Sequence, residues 1–322
     1  MNKKRAACEV SIANTERFFT NLAAHRVGGE ECPNSFDRPG STPESTEHLG
    51  RPIEIDEVHE SLGRRAKSSH GPDGVTYADL KRADPGSRVL TALFDAVWRT
   101  EGVPSCWSES NTILLYKKGD PDDIGNWRPI SLADTVPKLF AAVLADRVKE
   151  WADAVYSKSQ KGFLQFEGCF EHNFILQEIL REAKDRKREV VVAWLDLSNA
   201  FPSLPHSSIF RALEGHGMPL KVRNVISSLY ADMRTRVQVA SGSTNPIRIR
   251  SGVRQGCPLN PDVFNLTLEV VLRCMANTGE GYTFGDVRFN NFAYADDMAL
   301  VCDSMGGIYC WRQLNWERRL LD

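Results

Sequence analysis

Two adjacent carboxylates, Asp296 and Asp297, interrupt an apolar segment in NNFAYADDMALVCD, residues 290–303. Neighbouring like charges repel each other, and carboxylates are rarely buried unless a turn solvates them or a cation binds them. Aspartate is common in hairpin turns, so the pair alone predicts two short strands, about 291–294 and 298–302, around a turn. A chemical interpretation requires a further acidic residue.

Asp196 is that third carboxylate, because it ends the apolar run VVVAWLDL where a buried strand would reach its carboxyl end. A charge in that place is costly unless it is compensated. If this strand and the hairpin are neighbours in one sheet, the three carboxylates converge. Oxygen donors of this kind suit Mg²⁺, which keeps waters and substrate phosphates as further ligands. Two such ions, about 3.5–4 Å apart, can activate an attacking hydroxyl and stabilise a leaving oxygen.

Helices and strands alternate irregularly along the rest of the chain, which favours an α+β fold over a doubly wound parallel sheet. Apolar spacing predicts helices over about 136–155 and 171–188, and the stretch RTRVQVASGSTNPIRIRSG predicts a hairpin. Asn260 is expected to cap a further helix, with Pro261 in its first turn. Residues 1–48 are polar and rich in Gly, Pro and Ser, so a poorly ordered extension is expected there.

Composition is that of an ordinary globular protein, with 322 residues of which 42% are hydrophobic. No apolar run reaches the roughly 18 residues of a membrane span, and the opening MNKKRAACEV lacks the apolar core of a secretory signal. The eight cysteines are scattered without a CxxC pair, which favours reduced thiols. We therefore expect an intracellular protein that is neither secreted nor anchored in a membrane.

Basic residues are concentrated between Arg181 and Asn260, where 13 Lys and Arg residues stand against 6 Asp and Glu. The net charge of the whole chain is only −2. This basic region is open to two interpretations, a solvated protein face or a surface that faces phosphates.

Five segments follow one another along the chain: SHGPDGVTYADLK (69–81), ILLYKKGDPDDIGNWRPISLADTVPKLFAAVLADRV (113–148), VVVAWLDLSNAFPSLPH (190–206), SGVRQGCPLNPDVFNLTLE (251–269) and FAYADD (292–297). In this order they resemble the reverse transcriptases of non-LTR (LINE-like) retrotransposons. Within the first segment, GPDG consists of good turn formers and carries no assigned chemistry. Asn260 and Pro202 depart from the family, which usually has Ser and Asp there.

The resemblance implies an RNA-directed DNA polymerase with a right-hand fingers–palm architecture and an antiparallel palm sheet. Such an enzyme would use two Mg²⁺ ions, or Mn²⁺ in their place, and its partners would be an RNA template, a DNA primer and dNTPs. Metal ligands would be Asp196, Asp296, Asp297 and the backbone carbonyl of Leu197. Lys117, with Lys118 as an adjacent candidate, and Arg128 would clamp the triphosphate. Phe201 would exclude a 2′-hydroxyl, and Gln255 and Gly256 would lie against the templating base pair.

The same resemblance divides the chain into fingers with part of the palm, 49–188, and the remaining palm, 189–322. Asp322 follows Asp297 by only 25 residues, and the family's thumb comes after this point. We therefore expect the thumb to be absent and polymerisation to be weak or non-processive. Two alternatives stay open, a catalytically silent remnant that binds RNA or a partner protein, and an intron-encoded maturase, which the segment 113–148 matches less well.

Overall fold

A computed structural model describes residues 7–24, 43–65, 69–164, 168–197 and 199–313. Much of the predicted N-terminal extension, residues 1–6 and 25–42, lies outside the described residues, and so does 314–322. Helices in the described ranges are α1 (Ile12–Leu22), α2 (Pro43–Gly50), α3 (Ile55–Gly63), α4 (Tyr77–Ala83), α5 (Arg88–Thr100), α6 (Thr135–Ala152), α7 (Gly168–Asp185), α8 (Ala200–Ser203), α9 (His206–Gly215), α10 (Leu220–Tyr230), α11 (Asn260–Asn277) and α12 (Met305–Gln313). Strands are β1 (Glu109–Tyr116), β2 (Trp127–Ala133), β3 (Val191–Asp196), β4 (Arg234–Val239), β5 (Gly242–Ser243), β6 (Ile247–Arg248), β7 (Tyr282–Phe284), β8 (Val287–Phe289), β9 (Asn291–Tyr294) and β10 (Asp297–Cys302).

The larger sheet has the order β2-β1-β4-β5, with β6 also paired to β4. β1 is antiparallel to β2 and parallel to β4, so the sheet is mixed. The expected hairpin is present, because β4 pairs antiparallel with both β5 and β6. Trp127 is buried in the apolar cluster beneath this sheet, and its indole N–H donates to the Pro121 carbonyl at 2.9 Å. This larger sheet forms one wall of the candidate site.

The second sheet has three antiparallel strands in the order β3-β10-β9. Alternate residues of a strand face opposite sides, and both sides of this sheet carry apolar side chains. Met298 and Leu300 belong to the main core with α6 and α11, whereas Ala299 and Val301 pack with Ile179 of α7. This burial on both faces holds the sheet, and therefore its carboxylate-bearing end, rigidly in place.

Two local expectations differ from the structure. β3 was expected to be a buried strand, but it is an edge strand of its sheet and its Trp194 side chain is 72% exposed. Asn260 is the first residue of α11, and Leu259 occupies the cap position. The Asn260 side chain instead accepts from the Tyr230 hydroxyl and donates to the Arg254 carbonyl, so tertiary contacts compete successfully with capping.

Part of the predicted N-terminal extension forms a helix. Residues 12–22 form α1, with Ser11 accepting from the Asn14 backbone as an N-cap. Phe19 is buried in the cluster of Trp127 and Val237 against the larger sheet. One amphipathic turn of apolar residues was sufficient to dock this helix, although the polar residues around it dominate the composition.

Candidate active site

Strand pairing brings the three acidic residues together. In the antiparallel register of β3 and β10, Asp297 lies directly opposite Asp196. Directly opposed residues of this kind have Cβ atoms about 4.5–5.5 Å apart. Asp296 precedes β10 in the hairpin turn, and it lines the same cavity as Asp196. Three carboxylates therefore stand at one end of the three-stranded sheet, as the sequence predicted on the condition that the strand and the hairpin were neighbours.

Electrostatic strain at this site is visible in Asp296. Burial raises the pKa of its carboxyl above the ordinary value, and the nearby charges of Asp297 and Asp196 raise that pKa further. A hydrogen bond from its own backbone N–H and the charge of Arg128 act in the opposite direction. The two neighbouring carboxylates thus disfavour ionisation of Asp296.

A polar cavity of about 210 Å³ lies between the two sheets and is lined by Asp196 and Asp296, whereas Asp297 lines a separate cavity that it shares with Asp196. We call the first of these the intersheet cavity. Lys117 and Arg128 contribute cationic side chains from the larger sheet, and Lys118 is not among its lining residues. Its lining includes Lys117, Arg128, Asp196, Leu197, Phe201, Gln255 and Asp296. Positive charge on one wall thus faces negative charge on the other, an arrangement suited to a ligand that carries both phosphates and metal ions.

Phe201 and Leu197 form the floor of the intersheet cavity. The Phe201 ring stacks on Phe264 of α11, with centroids 4.5 Å apart and planes 3° from parallel. Phe163 meets the same ring edge-on at 6.0 Å. The Leu197 carbonyl accepts a hydrogen bond from the Ala200 N–H at 3.2 Å, which leaves one oxygen lone pair available. Phe201 is therefore a fixed surface of the cavity.

Gln255 and Gly256 meet the larger sheet through the backbone. The Gln255 carbonyl accepts from the Ser131 N–H at 2.7 Å. Gly256 has φ of +112°, and a Cβ there would lie 2.6 Å from the Ser131 carbonyl oxygen. Gln255 lines the intersheet cavity, with its side-chain oxygen buried and unpaired, whereas Gly256 lines a separate cavity. The protein's own β2 is thus sufficient to require glycine at position 256.

Gln160 was not singled out from the sequence, yet its side chain contacts the turn that carries Asp296. It is fully buried, and its oxygen accepts from the Ala295 N–H at 2.9 Å. A neutral residue in a loop gives no periodic or charge signal. The only available signal was its place in SKSQKGF, where polar residues precede a Gly-Phe pair.

Six of the 13 basic residues between Arg181 and Asn260 form ion pairs within the protein. Glu182 binds both Arg186 and Arg188, and Asp232 binds both Arg234 and Arg248. Arg223 pairs with Glu214 at 2.9 Å. These pairs favour the interpretation as a solvated protein face over that of a dedicated phosphate surface.

The family model for reverse transcriptase (RNA-dependent DNA polymerase) matches residues 116–311, which include all three acids and most of the residues that line the intersheet cavity. The chain belongs to the reverse transcriptase family. It is related to the Pol proteins of non-LTR retrotransposons.

Three relatives illustrate the relation of this reverse transcriptase domain. The retrovirus-related Pol polyprotein of the type-1 retrotransposable element R2 of Nasonia vitripennis is 29% identical over 302 residues, 94% of this chain and 28% of the relative. The corresponding R2 protein of Popillia japonica is 32% identical, over 80% of this chain and 36% of the relative. The RNA-directed DNA polymerase from the mobile element jockey of Drosophila melanogaster is 24% identical, over 80% and 29%.

The domain thus spans about a third or less of the length of these relatives. No helix in the described ranges is long and apolar enough to cross a membrane.

Proposed function

We propose that this domain catalyses RNA-templated DNA synthesis, joining a dNTP to a primer 3′-hydroxyl. The observation that carries the proposal is the register of β3 and β10, which sets Asp196 opposite Asp297 beside Asp296 and under a cavity with cationic walls. The family match and the RNA-directed DNA polymerases among the relatives support it. The division into fingers with part of the palm, 49–188, and the remaining palm, 189–322, forms part of the proposal.

The acidic cluster fits divalent cations. Asp196, Asp296 and Asp297 offer carboxylate oxygens, and Leu197 offers a carbonyl oxygen, which are the donors that Mg²⁺ and Mn²⁺ prefer. Burial and the charges of Asp297 and Asp196 raise the pKa of the Asp296 carboxyl, which supports this assignment because a bound cation would compensate the negative charge. When bound, two Mg²⁺ ions would lower the pKa of the primer hydroxyl and neutralise charge on the transferring phosphate.

The remaining roles follow from the walls of the intersheet cavity. Lys117 and Arg128 bind the triphosphate and stabilise the charge that develops on its oxygens. The Phe201 ring packs against the deoxyribose where a ribose would carry its 2′-hydroxyl. Gln255 lies beside the nascent base pair. Together these side chains bind and orient the nucleotide while the three acids hold the metals.

Single-nucleotide addition tests the proposal directly. The purified chain, in molar excess over a DNA primer annealed to an RNA template, is supplied with Mg²⁺ and the complementary dNTP. We expect a product one nucleotide longer, because excess enzyme removes the requirement for processivity. A folded chain that binds the primer–template but gives no such product would contradict the proposal, as would addition that ignores the template base.

Substitution of Lys117 tests the triphosphate clamp. We expect Lys117→Met to raise the KM for dNTP about tenfold, since a charge-assisted contact of this kind contributes roughly 1.5–3 kcal/mol. Lys118→Met is the matched control, because Lys118 is the neighbouring exposed lysine outside the lining of the intersheet cavity. The measurement is the dNTP dependence of single-nucleotide addition. Equal effects of the two substitutions would argue against a specific role for Lys117.

A further inference from the structure

We propose that Gln160 is a positioning residue, which fixes the hairpin turn so that Asp296 and Asp297 are held in register with Asp196. This inference rests on the proposed function for its consequence in catalysis. The contacts of Gln160 with the hairpin turn do not depend on that function. They involve the loop before α7, to which no metal-binding or nucleotide-binding role is assigned.

The side chain of Gln160 binds both polar groups of one residue in the turn. Its oxygen accepts from the Ala295 N–H at 2.9 Å, and its amide nitrogen donates to the Ala295 carbonyl at 3.4 Å. The same oxygen also accepts from the Gly162 N–H at 2.8 Å. Gln160 is fully buried, so water cannot replace these bonds. One side chain therefore ties the loop before α7 to the residue that precedes Asp296.

Ala295 needs such support because its backbone is left-handed, with φ of +56°. For a residue other than glycine this conformation is unfavourable, and it persists only where the surroundings enforce it. The peptide that follows Ala295 leads directly into Asp296. A change in the turn would therefore move the carboxylate relative to its two acidic neighbours.

The backbone around Gln160 lies close to the same hairpin. Ala293 donates to the Ser159 carbonyl at 2.8 Å, and the Lys161 N–H donates to the Ala293 carbonyl at 2.9 Å. A Cβ added at Gly162 would lie 2.1 Å from the Ala295 nitrogen. Gln160 thus forms an isolated parallel bridge with Ala293 of β9, and Gly162 lies against the turn.

Buried polar side chains of α11 hold this segment from behind. Asn265 donates to the Gly162 carbonyl at 2.8 Å, and Glu269 accepts from the Ser157 N–H at 3.0 Å. Both side chains are fully buried, and Arg273 pairs with Glu269 at 2.9 Å. Their spacing of four residues places them on one face of α11. Polar groups in an apolar core are costly unless they form hydrogen bonds. The bonds to the loop therefore account for the polar residues Asn265 and Glu269 within the apolar segment FNLTLEVVLR of α11.

Replacement of Gln160 by methionine tests the inference with three measurements. Methionine fills a similar volume but can neither accept from the Ala295 N–H nor donate to its carbonyl. We expect hydrogen exchange at the Ala295 amide to accelerate at least about tenfold, since it loses its hydrogen bond. We also expect Mn²⁺ binding, followed by electron paramagnetic resonance, to weaken about tenfold, and kcat to fall with little change in the KM for dNTP.

Thr267→Val is the matched control. Thr267 is a buried polar residue of the same helix, but its hydroxyl donates within α11, to the Val263 carbonyl at 2.8 Å. It should leave exchange at Ala295 and Mn²⁺ binding unchanged. If Gln160→Met does not fold, Gln160→Asn keeps the amide but shortens its reach, and it should give the same changes in smaller measure.

The outcomes separate the two proposals. Unchanged exchange at Ala295 and unchanged Mn²⁺ binding in a folded Gln160 variant would overturn the positioning role. If exchange at Ala295 is faster in the variant, but the wild-type chain neither binds Mn²⁺ nor extends primers, the proposed function is rejected. The contact between Gln160 and the turn then still stands. If the wild-type chain extends primers, and the variant shows faster exchange at Ala295 and weaker Mn²⁺ binding, both proposals are supported.

Discussion

Asp296→Asn lowers the rate of single-nucleotide addition by about 10³-fold or more. Loss of one metal-binding carboxylate removes several kcal/mol of transition-state stabilisation, and each 1.4 kcal/mol corresponds to a factor of ten. The same substitution should raise the melting temperature in EDTA. Burial and two acidic neighbours raise the pKa of this carboxyl, so its ionised form destabilises the folded protein. Asparagine removes that cost at neutral pH.

The stability difference between Asp296→Asn and the wild type should depend on pH. A carboxyl whose pKa is raised in the folded protein destabilises the folded state when the pH is above that pKa. This destabilisation disappears as the pH falls below the ordinary aspartate pKa of about 4. The thermal advantage of Asp296→Asn should therefore shrink as the pH is lowered in that direction. Melting temperatures of both proteins across this range provide the measurement.

Asp303→Asn is the matched control for this prediction. Asp303 immediately follows the opposite end of β10, and its carboxylate pairs with Arg288 at 3.7 Å. It should retain full activity and lose little stability, because exposed pairs contribute only about 0–1 kcal/mol. Equal activity losses in the two variants would contradict a special role for the acids at the hairpin turn.

Phe201→Val reduces the discrimination between dNTP and rNTP by about 10–100-fold. A steric difference of this size in a pocket amounts to about 1–3 kcal/mol. The ring is stacked on Phe264 and held edge-on by Phe163, so in the wild type it cannot easily move aside for a 2′-hydroxyl. The measurement is the ratio of kcat/KM for a dNTP and the matching rNTP. The gain should appear as faster rNTP addition.

Phe264→Leu separates this effect from general loosening of the core. Phe264 is fully buried beneath Phe201 and is not among the residues lining the intersheet cavity. Its truncation should cost stability through lost packing and should give the Phe201 ring some freedom to move. Discrimination should therefore fall in Phe264→Leu by less than in Phe201→Val, which lacks the ring altogether. An equal or larger loss in Phe264→Leu would contradict a direct steric role for the Phe201 ring.

Local patterns were sufficient for the elements that present the chemistry. Alternation and turn residues predicted β9 and β10 within one residue of their observed bounds, and helical spacing predicted α6 and α7. The three acids could be named from their charge at the ends of apolar segments, whereas Lys117 and Phe201 were named only through the resemblance to the reverse transcriptase family. Composition failed for α1, because a short apolar stripe docks a helix even when its surroundings are polar.

The amino-acid sequence by itself determined which side chains are available for chemistry and on which strands they lie, because period and charge are local properties. Tertiary structure alone decided that β3 pairs with β10 in the register that sets Asp196 opposite Asp297. It also decided that Lys117, and not Lys118, lines the intersheet cavity, and that Gln160 supports the turn. Register, direction and burial depend on contacts between residues separated by about a hundred positions or more, and no local pattern records those contacts.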